Sequence, residues 1–494
     1  MKNQSLNSIS TKNVRPNGFK FEEKIFITKE KHEILRNGTL QRGDIVITTR
    51  GTIGNVGIYD EQVPFDVIRI NSGMLILRLK KGVYSKKLLN YFIQSPNFIF
   101  QIKKRKSGTA QPQLPAGILK KFEIPLFPLP EQHRIVAKIE ELFSQLDSGI
   151  SSLKKAQAQL KIYRQAVLKY AFEGKLTEEW RKQHQPDPAE KLLEQIRLER
   201  ERHHQQQLEE WKAACEQANA EGKKKPTKPR KPKELPPLTE DELGELPALP
   251  EGWCWTKLGK ITDIVGGVTK GRKLDDKKTV KLPYLRVANV QDGYLDLKEI
   301  KHIRVLDSDL KKYRLVYGDI LFTEGGDKDK LGRGSVWKGE IKNCIHQNHI
   351  FRARTINNDV MLAKYISYSC QTQTAKKYYF DHAKQTVNLA SINMTVLSNT
   401  PIPITNSSEQ HAIVQEIESR LSVCDKLEQT IETNLRKSDA LRQSILKKAF
   451  EGKLVPQNPD DEPAEKLLER IQLEKAELDA KTKAAKAKKK KKRL

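Results

Sequence analysis

The feature that most constrains this chain of 494 residues is a stretch that occurs twice. Residues 131–176 and 409–454 align without a gap at an offset of 278 (409 − 131), with 19 identities in 46 positions. Both begin Glu-Gln-His and end Ala-Phe-Glu-Gly-Lys-Leu. In the first copy Ile139, Leu142, Leu146, Gly149, Leu153, Ala156, Leu160, Tyr163, Val167 and Tyr170 are spaced 3-4-3-4, which predicts a coiled-coil seam. In the second copy Ile417, Leu421, Cys424, Leu427, Ile431, Leu435, Leu441 and Ile445 make a less regular stripe, interrupted at Ser438. At about 1.5 Å per residue each helix would run for about 68 Å, longer than a small domain can cover. Two such helices most economically bury their stripes on each other as an antiparallel coiled coil, the plainer alternative being that each packs on its own domain.

The rest of the chain repeats in the same order, so the expected fold class is α/β, with two mixed α/β domains separated by long helices. Residues 1–130 carry short β-branched runs at Asp44–Thr48 and Gly73–Leu79, one helical pattern from Ser85 to Ile102, and a strand from Phe122 closed by Pro130. Residues 251–408 repeat this: GDILFTEGG at Gly318 follows GDIVITTRG at Gly43 by 275 (318 − 43), and Leu285–Val290 follows Ile9–Val14 by 276 (285 − 9). The first domain has 42 residues before Gly43, whereas the second has 67 from Gly252 up to Gly318 (318 − 251). Nothing in residues 1–42 corresponds to PEGWCWTKLGKITDIVGG, so the first domain is expected to lack its opening strand. Residues 131–222 form the first helical region. Its later part shares ten of twelve residues from Pro188 with the segment from Pro463, and Asp187 is expected to cap the helix that Pro188 opens. Residues 223–250 read as an extended basic, proline-rich linker, 409–480 as the second helical region and 481–494 as a basic tail.

The formal net charge of +28 points to a polyanionic partner. Lys223–Lys233 and Lys481–Leu494 hold seven and nine basic residues without an acid, leaving +12 (28 − 7 − 9) spread elsewhere. No apolar run approaches a membrane span and the first 15 residues have no signal-peptide core, which favours nucleic acid and a cytoplasmic setting. The five cysteines, with no C-x-x-C, fit a reducing compartment and argue against a zinc site.

At this point the residues carry a resemblance. A Gly-Trp-x-Trp-x-x-Leu-Gly opening, a central Gly-Asp-Ile strand, a late Asn-Leu, and Ile-Pro-x-Pro before Glu-Gln-x-x-Ile-Val, largely duplicated, resemble the DNA-specificity subunit of type I restriction-modification systems. The resemblance covers nearly the whole chain except the basic linker and tail. It implies two target-recognition domains, each reading one half of an interrupted double-stranded DNA sequence, with the rods setting the spacing at about one helical turn by analogy with symmetric dimers. It also implies a chain without catalysis or cofactor of its own. Two methyltransferase subunits would bring S-adenosylmethionine, and a restriction subunit ATP and Mg²⁺.

A reader needs side chains that pair with base edges and cations on phosphates. In the first domain the candidates are Thr48, Thr49, Arg50 and Thr52 after the Gly-Asp-Ile strand, and Lys103, Lys104, Arg105, Lys106, Gln111 and Gln113 after the helix. In the second they are Lys270, Arg272, Lys328, Lys330, Arg333, Lys384, Gln385 and Asn388. His133 and His411 stand at equivalent places but have the neighbours of a helix start rather than catalytic partners. GGVTKGRK from Gly266 lacks the Lys-Ser/Thr of a phosphate loop. Two alternatives stay open: a metal-dependent endonuclease using Glu340 and Lys342 with Asp327 and Asp329, and a coiled-coil nucleic-acid-binding scaffold.

Overall fold

The computed structural model describes residues 5–491 except 16–17, 23–24, 36, 81, 106–112, 223, 230, 232–233, 272–273, 275–278, 327–329 and 386–388. Two compact units result, Met1–Ala156 with Thr430–Leu494, and Gln157–Gln429. Both long helices, Leu129–Phe172 and Ser407–Phe450, contain 44 residues and give one part to each unit.

In the first unit Ile45–Thr48 is the central strand of an antiparallel sheet between Val56–Ile58 and Met74–Leu77. Its four residues are buried on both faces, which is why the run is continuously apolar instead of alternating. A second sheet places Ser5–Ile9 between Ile25–Thr28 and Ile68–Ile70, the latter parallel. The single helix expected from Ser85 to Ile102 is two, Lys86–Ile93 and Pro96–Arg105. Pro96 disfavours helical geometry at Ser95, whose hydroxyl instead accepts the Phe98 N–H at 3.3 Å. Leu88, Phe92, Phe98 and Ile102 pack on Ile45 and Ile47, and the same cluster takes in Ile135, Val136, Ile139 and Phe143 from one long helix and Ile445, Leu446, Ala449 and Phe450 from the other.

The second unit repeats this design with more parts. Its main sheet runs Thr262–Gly266, Ile350–Thr355, Ile320–Thr323, Gly334–Val336, all antiparallel. Thr279–Leu285 pairs with Lys301–Leu306 and, in parallel, with Ile345–His346. Helices Val360–Ser369 and Gln373–His382 cover one face. Here the core includes Ile413, Val414 and Ile417 with Val167, Leu168, Ala171 and Phe172. The repeated Ala-Phe pair therefore serves each core in turn: Phe450 meets Phe92 edge-on at 5.1 Å, and Phe172 meets Tyr365 at the same distance.

Within each unit the two long helices run antiparallel. In the first, Arg442 binds Asp147 and covers the Phe143 ring at 4.3 Å. In the second, Arg164 reaches Asp425 at 2.6 Å and Glu428 at 3.1 Å. Ile139, Leu142, Leu146, Leu153, Leu160 and Val167, with Ile417, Leu421, Ile431, Leu435 and Ile445, are buried or half-buried. Leu427 and Leu441 depart from the expected seam, being 48% and 52% exposed, and Tyr163 and Tyr170 are also largely open. A helix of 3.6 residues per turn drifts away from a strict 3.5 repeat.

Three further expectations are corrected. Residues 122–128 form no strand, and the helix starts at Leu129 with Pro130 in its first turn, where a missing N–H costs nothing. Pro188 rather than Asp187 is the N-cap of Ala189–Ala220, and Asp187 instead binds Lys191 at 2.6 Å. The helix Ala464–Lys491 runs through most of the segment expected to be a separate tail.

Candidate nucleic-acid interface

Each Gly-Asp-Ile motif is built around a buried carboxylate. Asp44 accepts the Gln41 N–H at 2.8 Å and both Nε and Nη2 of Arg78 at 2.7 and 2.6 Å. Asp319 accepts the Val316 N–H at 2.7 Å and Nε and Nη2 of Arg354 at 2.6 and 2.8 Å. These aspartates fix the start of the central strand and so aim the loop at its far end.

That loop is joined in both units to the segment following the helices. In the first, the Thr49 N–H donates to Gly73 O at 2.7 Å, Leu114 N–H donates to Thr49 O at 3.0 Å, and Arg50 bridges Gln113. In the second, Glu324 N–H donates to His349 O at 3.0 Å and Ile392 N–H to Glu324 O at 2.8 Å. Gly325–Gly326 then pairs with Ala390–Ser391, which pairs with Lys384–Gln385. The turn carrying Lys270 is tied in through Val268, which exchanges backbone hydrogen bonds with His346 and Asn348.

The structure thus brings Arg50 beside Gln113, and places Lys384 and Gln385 on the same small sheet as the strand end at Gly325. Arg50, Thr52, Lys103, Lys104, Lys270, Lys384 and Gln385 are exposed. Thr48 and Thr49 are buried, so their side chains leave the exposed set. Arg105 is held by Gln101 at 2.7 Å and lies over the Phe122 ring, and Arg333 is held by Gln291 at 2.6 Å. Lys330 sits half-buried in a short turn. Lys106, Gln111, Arg272, Lys328 and Asn388 lie outside the described residues, as do Asp327 and Asp329. Glu340 accepts the Lys338 N–H at 2.9 Å in a turn. Among the described residues no group of three or more His, Cys, Asp or Glu is placed to hold a metal ion. His133 and His411 are exposed, the latter on Ser407 O.

Sequence reasoning passed over Thr11 and Asn71 in the first unit and Gln291, Glu324, Asn348 and His349 in the second. Asn71 and Asn348 share an offset of 277 (348 − 71), a signal legible beforehand. Beside them His346 is fully buried, with neither ring nitrogen partnered among the described residues. It packs edge-on against Tyr313, and a side chain at Gly267 would collide with its ring. Burial and then the Arg352 cation push its pKa down to about 3. The unfolded chain therefore takes up a proton below about pH 6.5 that the folded one refuses. This contribution to stability is complete above pH 6.5 and is lost as the pH falls toward 3, by up to about tenfold in the folding constant per unit. His346→Leu should flatten that slope in urea titrations between pH 7 and 4. An unchanged slope would show that this imidazole is not buried neutral.

The model of the type I restriction modification DNA specificity domain matches residues 8–161 and 250–437, most of the chain. The chain belongs to this family. It is 24% identical over 488 residues to the EcoKI specificity subunit of Escherichia coli strain K12, covering 96% of this chain and 90% of that protein. It is 25% identical to the EcoDI specificity subunit of Escherichia coli, covering 89% and 95%. With the StySPI specificity subunit of Salmonella potsdam the figures are 24% identity, 95% and 88%. A solved chain from a study described as "Structural basis underlying complex assembly and conformational transition of the type I R-M system" superposes with a TM-score of 0.59 at 18% identity, over 91% of this chain and 92% of that one. At that identity the likeness supports the shared fold. The family is one of DNA-specificity domains, and the match covers part of both units. Among the described residues no helix is long and apolar enough to cross a membrane.

Proposed function

We propose that this chain is the DNA-reading subunit of a type I restriction-modification complex, each unit presenting one loop face to one half of an interrupted target. The observation that carries this is the joining, in both units, of the strand-end loop to the segment after the helices. Two separate polar segments are thereby held side by side, and their exposed side chains are of the kinds that pair with base edges in a major groove. Exposed lysines beside it, Lys103 and Lys104 in one unit and Lys270 and Lys384 in the other, suit phosphates, which fix register without reading sequence. The long helices supply the spacing between the half-sites and a docking surface for two methyltransferase subunits and for the restriction subunit. S-adenosylmethionine, ATP and Mg²⁺ belong to those partners, and the assembly works in the cytoplasm.

Exchange of residues 251–408 for the corresponding domain of a family member with another target tests this reading. Mapping of methylated adenines in cells carrying the exchanged chain should show one half of the target replaced and the other retained. A target altered in both halves, or in neither, would sink it.

A further inference from the structure

The loop face of the second unit carries a carboxylate among its lysines. Glu324 stands where the central strand Ile320–Thr323 ends. Its backbone is pinned from two sides, the N–H donating to His349 O at 3.0 Å and the carbonyl accepting the Ile392 N–H at 2.8 Å. Gly325 follows in close contact, where a Cβ would lie 2.7 Å from Ala390 O.

The side chain is held as well. His349 Nδ1 lies 2.5 Å from Glu324 Oε2, and Asn348 Nδ2 lies 3.4 Å from His349 Nε2. A carboxylate only accepts, so the ring nitrogen beside it carries the proton and Nε2 is left to accept from the amide. Glu324 keeps 33% of its side chain exposed and His349 keeps 52%. Oε1 of Glu324 has no hydrogen-bond partner among the described residues. The carboxylate is therefore fixed in direction, with one oxygen left to accept.

The fold does not need this pair. At the same joint in the first unit the Thr49 N–H donates to Gly73 O at 2.7 Å, so Thr49 stands where Glu324 does and Gly73 where His349 does. Strand register agrees, Thr48 pairing with Met74 as Thr323 pairs with Ile350. Thr49 is buried, and a Cβ on Gly73 would lie 2.9 Å from Thr11. The first unit closes the joint through main chain alone, and the second adds a carboxylate and an imidazole to it.

Phosphates repel a carboxylate, which leaves base edges as its use on such a face. In the major groove guanine presents N7 and O6 and thymine O4, all acceptors, and adenine sets the acceptor N7 beside its amino group. Cytosine presents the N4 amino donor without an acceptor beside it.

We propose that Glu324 is a specificity-determining residue that accepts the N4 amino hydrogen of one cytosine in the half-site read by the second unit, and that His349 is the positioning residue that aims it. This rests on the DNA-reading role proposed above. The first unit, with Thr49 and Gly73 at the joint, reads its half-site without such a contact.

The complex that the full chain forms in its own cells is purified and used to select duplexes from a randomised pool, and the selection is repeated with variants. At one position of the second half-site the parent should take cytosine and Glu324→Gln adenine, since an amide pairs with N6 and N7 together. Glu324→Ala should lose about tenfold in discrimination at that position and keep the rest of the motif. His349→Ala should lower the preference for cytosine without redirecting it, and His349→Gln, whose amide donates to the carboxylate, should restore part of it. With the parent complex, N4-methylcytosine at that position puts a methyl where the amino hydrogen faces the major groove and should weaken binding about tenfold, which keeps the test decisive should a variant fail to fold. A second half-site without an invariant cytosine, a motif identical in parent and Glu324 variants, or equal binding of cytosine and N4-methylcytosine would overturn the proposal and leave the DNA-reading role standing. A parent complex with no sequence preference would overturn both.

Discussion

Asp319→Ala is expected to destabilise the second unit by about 3 kcal/mol, because it leaves a buried, hydrogen-bonded charge pair with one partner, and Asp44→Ala to destabilise the first by less, because Arg78 is 50% exposed and is resolvated when its carboxylate is removed. The Asp319 side chain has no exposed surface, while Arg354 retains 28% of its own. That residual exposure lets water reach the abandoned guanidinium and keeps the loss near the lower end for a broken buried pair. The Val316 N–H is stranded as well. Urea unfolding of the parent chain and the two variants measures this, and a shift below about 1 kcal/mol would show that the carboxylates are not what anchors the central strands. Loss of DNA binding should accompany loss of fold, since no part of either aspartate belongs to the exposed loop face.

The second large effect is on binding itself. If each unit places three or more cations on phosphates, affinity for duplex DNA should fall by about a thousandfold between about 50 and 200 mM salt. Lys103→Ala combined with Lys104→Ala should reduce the slope of log affinity against log salt by about 2, with little change in the preferred sequence. Arg105→Ala should differ from that pair. Its guanidinium is held on Gln101 and the Phe122 ring, so its removal acts through packing more than through phosphate. A salt slope near zero, or a lysine pair whose removal redirects sequence preference, would contradict this division of labour.

Much of the architecture was legible in the residues. The gapless repeat, its 3-4-3-4 stripe and the returning Gly-Asp-Ile motif carry local physics that tertiary context did not override: apolar runs too continuous to be anything but buried, and two helices too long to be covered alone. The missed boundaries have local causes too. Ser95-Pro96 splits a helix because proline constrains the residue before it, and Pro130 and Pro188 sit at helix starts because proline is tolerated there. Leu427 was misplaced because a heptad reading assumes a seam that a straight helix cannot follow for long.

The site was harder to read. Lysines and glutamines in loops look alike in sequence whether they face solvent, a phosphate or a neighbouring side chain. Arg105 and Arg333 read as free cations until their partners Gln101 and Gln291 came beside them. Asn348 and His349 escaped notice because strand pairing across the sheet brings them to the loop face from a separate part of the chain.

By itself the sequence determined that this protein is a tandem of α/β bodies and paired helices, because periodicity and repetition are properties of neighbours along the chain. Only the tertiary structure decided which half of each helix serves which body: Ala449 and Phe450, from the end of the second copy, complete the core of the first unit, while Ala171 and Phe172 complete that of the second. The same residues in the same local sequence enter different cores because burial is assigned by packing between distant segments, and no local pattern encodes that choice. In the same way Glu409 is satisfied and Glu131 is not, although the two carboxylates stand in the same Glu-Gln-His motif. What separates them is the set of donors brought beside Glu409: Trp253, Thr405, Thr177 and Arg181, of which Thr405 and Thr177 have the apolar counterparts Phe127 and Val455.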